Sequence, residues 1–418
     1  MSTIDTAFQA QALERLRAHV ADLRERSPWY REKLAGTGPI GSWDDFQRLP
    51  FTTKQELSEH TAHFLSAPRS AIAEHVSTSG TTGRPVNFAM STADVERLGR
   101  NERYALGLAG ITAADTVMIT TTLDKRFMAG LAYWLGLRAI GAGVVRSGPG
   151  DPRGKWETAM DCGVTTLIAV PSFLLAMLRE WEKHGLRADQ TAVTRVVCIG
   201  EPIATTFGEP NLLARRIADH CGWGLHGTYA STEMATACTE HLPFGGHTVP
   251  AGLMHVEVVD TEGRQVPEGG TGEVVATPFG AEAMPLLRFR TGDICTWRTG
   301  TGADGSPAML LGPVLGRKEQ RLKLKGTTLF PAQVTDAMNA LPDPPEFVMV
   351  CVKDELGSDD LEILVDAEGP ALAHLREHLR GALRVAPRLT SLPLSAIHTL
   401  KWPPGARKPL LFIDRRDV

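Results

Sequence analysis

The chain has 418 residues, of which 43% are hydrophobic and 22% charged, and its formal net charge at pH 7 is −4. This composition is that of a globular protein, and the length is enough for two or three domains because single cores stop growing at roughly 250–300 residues. The slight excess of negative charge argues against nucleic acid or an anionic membrane as the main partner.

Cysteine usage and the apolar stretches predict the compartment. The six cysteines are scattered without a paired framework, which predicts a reduced chain rather than a disulfide-bonded secreted one. The N-terminus has no basic region followed by an apolar run, and the most apolar stretch, residues 167–178, is well short of the roughly 20 residues that a membrane span needs. We therefore expect a soluble, cytoplasmic protein, and the sequence leaves open whether it forms a homodimer.

The first three quarters of the chain predict one layered domain. Residues 7–34 carry apolar positions at helical spacing, and from there to about Arg298 short β-rich runs alternate with helical patterns. This alternation favours an α/β domain with a largely parallel sheet, in which functional groups usually lie on loops beyond the strand ends. The predicted strands are 116–120, 165–170, 195–199, 255–259 and 273–276, and the predicted helices are 92–108, 172–184 and 206–220.

A second, smaller domain is predicted at the C-terminus. Residues 300–307 are typical of a hairpin tip, and the pattern changes after Gly316. Helices are predicted at 331–340 and 371–383, and strands at 347–353 and 362–365. About 100 residues is an ordinary size for a small α+β domain. We therefore predict a large domain at 1–317 and a small one at 318–418.

Residues 77–85 form the most informative motif, Ser-Thr-Ser-Gly-Thr-Thr-Gly-Arg-Pro. Glycine permits the φ > 0 conformations that let successive N–H groups form a concave nest for an anion, and the hydroxyl groups add further donors. An ordinary P-loop is not predicted, because Arg84 and Pro85 follow Gly83 where a P-loop has lysine and then serine or threonine. The motif predicts a phosphate-binding loop, and a polar surface turn is the alternative.

Three later segments could hold the rest of a nucleotide. In residues 227–233, Tyr229 could flank a base, Thr232 could bond a phosphate and Glu233 could hold Mg²⁺. Asp293, at the end of residues 285–293, could accept both hydroxyls of a ribose. The charged run 316–321 lies at the predicted domain boundary. Taken singly, the three segments also fit a strand-to-helix loop, a turn aspartate and a solvated connector.

The order of these four segments resembles the adenylate-forming superfamily of acyl-CoA synthetases and adenylation domains. The resemblance is closest to the phenylacetate–CoA ligase branch and spans nearly the whole chain from Ser27 onwards. Val-Pro-Ser at 170–172, Gly-Glu-Pro at 200–202 and the nearly intact run at 283–293 favour that branch. The resemblance implies ATP-dependent activation of a carboxylic acid to acyl-AMP with Mg²⁺, followed by acyl transfer to CoA.

The resemblance also implies which residues hold ATP and the metal. The phosphate loop would cradle the β- and γ-phosphates with Ser79, Gly80, Thr81, Thr82 and Gly83. The adenine site would be lined by Gly200, Glu201 and Pro202, with Tyr229 close to the base. The remaining ATP contacts would be Thr232 on the α-phosphate, Glu233 on Mg²⁺, and Asp293 with Arg317 at the ribose.

The small domain would act as a mobile lid that carries the catalytic lysine. The run 405–415 resembles the family segment that bears it, which assigns Lys408, with Lys401 as the other candidate. The hinge would lie at Glu319. The acid pocket would include Phe127, Met128 and Tyr133, whose flat or soft side chains suit a planar aromatic acid, and Ala230, whose methyl group would lie close to the acyl group. The alternative is that this run belongs to the core, as aromatic runs more often do.

Departures from the family pattern keep alternatives open. Ala230 stands where a glycine is usual, Gln320 replaces an aspartate at the hinge, and residues 327–329 differ from the segment that serves the thioester stage. The acyl-AMP could therefore pass to an amine or a carrier-protein thiol instead of CoA, and a degenerate nucleotide-binding protein is a further alternative. A zinc site is a separate hypothesis, on spacing typical of ligands. Its candidates are Cys238, Glu240, His241 and His247.

Overall fold

The computed structural model describes residues 3–78, 86–324, 327–354, 358–403 and 409–416, with only the backbone for residues 3–9. The chain divides into two compact units. The smaller unit comprises Gly292–Ile294 and the chain from Val314 onwards, and the larger unit holds nearly all of the chain before Val314.

The larger unit contains nine α-helices and fifteen strands within its described residues. The helices are α1 (Thr3–Arg26), α2 (Pro28–Lys33), α3 (Trp43–Gln47), α4 (Lys54–Glu59), α5 (Thr92–Leu108), α6 (Met128–Ile140), α7 (Pro152–Asp161), α8 (Pro171–Lys183) and α9 (Leu212–Ala218). The strands are β1 (Ile72–Ser77), β2 (Asn87–Ser91), β3 (Thr116–Ile119), β4 (Gly143–Arg146), β5 (Thr166–Ala169), β6 (Arg195–Ile199), β7 (Ala204–Thr206), β8 (Glu209–Pro210), β9 (Gly224–Ser231), β10 (Thr236–Thr239), β11 (His247–Thr248), β12 (Met254–Val259), β13 (Thr271–Pro278), β14 (Phe289–Thr301) and β15 (Pro307–Leu311).

The main sheet is mixed, with the strand order β12-β13-β14-β15-β11-β10-β9-β6-β5-β3-β4. Strands β4, β3, β5, β6 and β9 are parallel neighbours, whereas β9, β10, β11, β15 and β14 pair antiparallel. The predicted α/β class is confirmed, and parallel pairing is confined to the half whose strands are joined through helices. Antiparallel neighbours need only short turns, whereas parallel ones need a crossover.

Capping residues and glycines explain why one predicted helix has the bounds found in the structure and another does not. Helix α5 has the predicted bounds, and Ser91 begins it by accepting a hydrogen bond from the Asp94 backbone N–H. Residues 206–220 do not form one helix. Gly208 has φ +81°, which makes a turn between β7 and β8, and α9 begins only after Asn211, whose side chain accepts from Ala214 N.

The smaller unit is an α+β arrangement. It contains β16 (Gly316–Arg317), β17 (Leu322–Leu324), β18 (Thr327–Leu329), β19 (Phe347–Lys353), β20 (Asp359–Val365), β21 (Arg388–Ser391) and β22 (Phe412–Asp414), with α10 (Pro331–Asn339), α11 (Gly369–Leu383) and α12 (Leu394–Lys401). Its sheet has the order β21-β20-β19-β22. Apolar residues of α10 and α11, such as Val334 and Leu379, share a core with Ile363 of β20. Across both units, no helix in the described ranges is long and apolar enough to cross a membrane.

Helices α5 and α6 pack closely over a buried carboxyl group. A Cβ atom on Gly136 of α6 would lie 2.8 Å from the Cβ of Glu102 on α5, so only glycine fits there. Glu102 is 4% exposed, and burial raises its pKa to about 8 from 4.5. The folded state therefore favours the protonated carboxyl group. The free energy of unfolding falls as the pH rises from about 4.5 toward 8, because ionising this carboxyl costs more in the folded state than in the unfolded state.

Glu102→Gln is expected to stabilise the protein in a pH-dependent way. Glutamine stays neutral, so it avoids the cost of ionising a buried carboxyl, which is on the order of a few kcal/mol at high pH. The difference in Tm between variant and wild type should be small near pH 5 and grow toward pH 8.5, measured by thermal unfolding. Glu96→Gln, on an exposed position of the same helix, is the control. A difference in Tm that stays constant with pH would contradict the raised pKa.

Candidate functional site

Three of the motifs meet at the carboxyl edge of the parallel strands. Strands β6 and β9 are neighbours with Ile199 opposite Thr228, which places Gly200 beside Tyr229. The Ser172 backbone N–H and hydroxyl donate to the two oxygens of the Glu201 carboxylate at 2.9 and 2.8 Å. The segments at 170–172, 200–202 and 229 therefore form one continuous edge, where ligands bind in open α/β sheets.

Thr232 and Glu233 lie on a hairpin turn that joins β9 to β10, and not on a strand-to-helix loop. The turn is closed at its base by Ser231, whose hydroxyl accepts from Met234 N at 3.2 Å and whose carbonyl accepts from Ala235 N at 3.1 Å. Thr232 and Glu233 are both half-buried, and Tyr229 on the preceding strand is 6% exposed. The strand thus places a ring at the sheet edge and two oxygen-bearing side chains just beyond it.

A cleft of about 400 Å³, open to solvent, lies beside this turn. Four methionines give it a soft, apolar lining, and three charged side chains reach it. It is lined by Phe88, Ala89, Met90, Asp94, Arg97, Met128, Thr232, Glu233, Met234, Ala235, Pro278, Ala281 and Met284. Sequence reasoning missed Asp94 and Arg97, because charged residues on a helix are ordinarily solvated.

The residues at the turn fit a divalent cation. Within the described part of the chain, no side chain hydrogen-bonds or pairs with the Glu233 carboxylate. A free carboxylate next to a threonine hydroxyl is an all-oxygen donor set, and Mg²⁺ binds through one or two carboxylates together with water and substrate phosphates. Glu233 would therefore hold Mg²⁺, with Thr232 beside it.

The predicted ribose residues lie together in the smaller unit. Strands β14 and β16 pair antiparallel with Asp293 opposite Arg317, and Arg317 Nε lies 3.3 Å from Asp293 Oδ1. The Asp293 side chain is 13% exposed and that of Arg317 is 41% exposed. The guanidinium thus lies where it can orient the carboxylate.

The predicted acid-pocket residues have different surroundings. Met128, the first residue of α6, lines the cleft, and Phe127 just before it is half-buried. Ala230 is exposed on β9, next to Tyr229. Tyr133 is 5% exposed and packs in the hydrophobic core with Leu137 and Ile119. The assignment of all four to the acid pocket stays a prediction, with Met128 the residue that the cleft includes.

The remaining predicted residues of the smaller unit are the hinge residue and the two candidates for the catalytic lysine. Glu319 is exposed, and its carbonyl accepts a hydrogen bond from Arg416 Nη2. Lys401 Nζ donates to Glu346 Oε2 at 2.5 Å, and the Lys401 carbonyl accepts from Leu410 N at 2.8 Å. Lys408 itself lies outside the described residues. So do Ser79, Gly80, Thr81, Thr82 and Gly83, although the flanking hairpin of β1 and β2 is described.

The zinc hypothesis is not supported. Glu240 Oε2 accepts from the backbone N–H groups of Gly227 and Phe244, and His247 Nδ1 lies 3.2 Å from the Leu311 carbonyl. Cys238 is fully buried, and burial raises its pKa to about 12, which keeps the thiol protonated. In the described ranges, no group of three His, Cys, Asp or Glu side chains is placed to hold a metal ion.

Comparison with known proteins adds an independent line of evidence. Residues 40–279 match the family described as AMP-binding enzyme. Phenylacetate-coenzyme A ligase of Thermus thermophilus is 30% identical over 371 residues, covering 85% of this chain and 81% of that protein. Its counterpart in Aromatoleum evansii is 27% identical over 361 residues, covering 83% and 79%.

The fold also matches solved structures. A structure of 2-hydroxyisobutyryl-CoA ligase in complex with R3-HIB-AMP aligns with a TM-score of 0.82 at 21% sequence identity, covering 98% of this chain and 90% of that one. At this level of identity, the match shows a shared fold.

Proposed function

Because this chain belongs to the AMP-binding enzyme family, in its phenylacetate–CoA ligase-like branch, we propose that it activates a carboxylic acid with ATP and transfers the acyl group to CoA. One observation carries this proposal. The sheet edge at Gly200 and Tyr229 leads directly into the Thr232–Glu233 turn, and an apolar cleft lies beside that turn. A base and a polyphosphate can bind on the edge and turn while an organic acid lies in the cleft.

In the first step, the acid's carboxylate attacks the α-phosphorus of ATP, forming acyl-AMP and releasing pyrophosphate. A carboxylic acid with a pKa of about 4 is already ionised at pH 7, so this step needs no general base. Catalysis then depends on placing the reactants and neutralising charge. In this proposal Thr232 would bind the α-phosphate, Tyr229 would flank the base and Asp293 would hold the ribose. Glu233 would hold Mg²⁺, which would supply positive charge next to the phosphates.

The substrate class proposed is an aromatic acid. Met90, Met128, Met234 and Met284 surround the cleft together with Phe88. Thioether groups are polarisable and make favourable contacts with aromatic rings. The acceptor proposed is CoA, because both aligned relatives are CoA ligases by name. A cytoplasmic location belongs to the same proposal, supported by six cysteines that form no disulfide bond in the structure as described.

Acid-dependent exchange of pyrophosphate into ATP tests the proposal. The purified protein is offered matched aromatic and aliphatic acids with Mg²⁺, and Glu233→Gln is the control that should lower exchange sharply. We expect exchange with aryl acids, and a thioester product only when CoA is added. Intact protein that catalyses no exchange with any acid would overturn the proposal. Exchange with aliphatic acids alone would overturn the substrate class, and an acyl-AMP that CoA does not consume would point to another acceptor.

A further inference from the structure

Helix α5 turns a buried polar face toward the cleft. Asp94, Arg97 and Asn101 are three and four residues apart, which places them on one side of the helix. Their exposures are 6%, 5% and 1%. Arg97 is therefore a buried cation, and although burial lowers its pKa to about 10, it remains charged at neutral pH. A buried charge needs compensating hydrogen bonds, so its partners indicate what it does.

The partners of Arg97 and Asn101 converge on the turn that carries Glu233. Arg97 Nη1 donates to the Ala235 carbonyl at 3.2 Å, and Asn101 Nδ2 donates to the same oxygen at 3.0 Å. Both side chains also donate to the Thr236 hydroxyl, Arg97 Nη2 at 3.2 Å and Asn101 Nδ2 at 3.0 Å. The Ala235 carbonyl and the Thr236 hydroxyl, at the start of β10, therefore each accept hydrogen bonds from both side chains.

The held residue has an unusual backbone. Ala235 has φ +44°, a left-handed conformation that residues with a Cβ adopt rarely. Its N–H is fixed by the Ser231 carbonyl, and its own carbonyl is the one that Arg97 and Asn101 share. Thr232 and Glu233 lie between Ser231 and Ala235, which these hydrogen bonds hold in place. The direction of the Thr232 and Glu233 side chains therefore depends on the bonds to Ala235.

The same helix face also fixes the opposite wall of the cleft. Arg97 Nε donates to the Phe279 carbonyl, and Asp94 accepts from Glu282 N at 2.7 Å and Ala283 N at 2.9 Å. The face of α5 therefore joins the turn at 232–235 to the segment at 279–283. Four of the five Arg97 N–H donors are directed at oxygens of these segments, of Thr236 and of Leu253.

We propose that Arg97 and Asn101 are positioning residues that hold Thr232 and Glu233 in the geometry that binds Mg²⁺ with the α-phosphate of ATP. This inference rests on the proposed function. Neither side chain needs to touch ATP: they act through the Ala235 carbonyl and the Thr236 hydroxyl. Removing these hydrogen bonds should weaken Mg²⁺-dependent ATP binding, because the Glu233 carboxylate is then no longer held in the position that binds the ion.

The test compares Arg97→Met with Arg100→Met. Arg100 lies on the same helix with 66% of its side chain exposed, in a surface pair with Glu96, so its variant controls for charge and composition. Isothermal calorimetry measures ATP affinity at several Mg²⁺ concentrations, and thermal unfolding measures Tm. For Arg97→Met we expect MgATP affinity to fall about tenfold or more and half-saturation to require more Mg²⁺, because hydrogen bonds from a charged group are lost. Arg100→Met should bind as wild type does.

Further variants separate positioning from general stability. Arg97→Lys keeps the charge but not the fork of donors, so it should restore only part of the affinity. Thr236→Val and Asn101→Leu remove the shared contacts at nearly constant shape, and they carry the test if Arg97→Met does not fold. Both should raise the Mg²⁺ requirement and leave the KM for the acid nearly unchanged. A fall in Tm with unchanged MgATP affinity in these variants would overturn the inference.

The outcomes also distinguish the inference from the function on which it rests. Wild-type protein that neither binds MgATP nor exchanges pyrophosphate would contradict the proposed function, and the positioning role with it. Wild-type protein that binds and exchanges, together with Arg97→Met, Asn101→Leu and Thr236→Val proteins that bind MgATP equally well, would overturn the inference alone.

Discussion

Lys408→Ala is expected to lose adenylation and to keep most of the acyl transfer from supplied acyl-AMP. The resemblance assigns to Lys408 the ammonium that neutralises charge developing between the carboxylate and the α-phosphate. Removing one such preorganised donor typically costs about 10²–10³ in rate. The resemblance also implies that the small domain rotates between the two steps, and such a rotation would bring the lysine to the phosphate only in the first of them. Pyrophosphate exchange and thioester formation from synthetic acyl-AMP measure the two halves separately.

Lys401 is the control that the structure supplies for this experiment. The Lys401 ammonium pairs with the Glu346 carboxylate, and the Lys401 carbonyl accepts a hydrogen bond from Leu410 N. Lys401 precedes Lys408 in the chain and Leu410 follows it. Lys401→Met and Glu346→Gln should therefore change Tm and activity by similar amounts, because each breaks the same pair. If Lys401→Met alone abolishes adenylation while Glu346→Gln and Lys408→Ala remain active, the catalytic lysine is Lys401. Equal loss of both halves in Lys408→Ala would contradict the rotation.

Asp293→Ala is expected to weaken ATP binding far more than acid binding. The carboxylate should accept two ribose hydroxyls, and charged hydrogen bonds contribute on the order of 1.5–3 kcal/mol each. Arg317 Nε lies 3.3 Å from Asp293 and is 41% exposed, so water can solvate the guanidinium after the substitution. Calorimetry with ATP and with the acid gives the two affinities.

The matched control for Asp293 is Asp304→Ala. Asp304 lies at the exposed tip between β14 and β15, where its carboxylate accepts from the Ser306 hydroxyl at 2.6 Å. This variant should bind ATP as wild type does, because the Asp304 carboxylate accepts its hydrogen bonds from Ser306 within the exposed turn. Unchanged ATP affinity in a folded Asp293→Ala protein would rule out the ribose role.

The sequence predicted most of the elements whose signals are local. The helical period predicted the bounds of α5, and alternation of helices and strands predicted the α/β class. The prediction failed over residues 206–220, where apolar spacing suggested a helix but Gly208 turns the chain and Asn211 begins a shorter helix. It also did not give the antiparallel half of the sheet, because the pairing of β11 with β15 joins segments far apart in sequence.

The sequence by itself determined the family resemblance and predicted the nucleotide-binding residues, since both rest on short motifs of fixed order. It did not separate Arg97 from Arg100, two arginines on one predicted helix. The tertiary structure made that separation: one side chain is 66% exposed, and the other is buried against carbonyl groups of residues 235, 253 and 279. A local pattern cannot show this difference, because the oxygens that compensate a buried charge come from segments more than 130 positions along the chain.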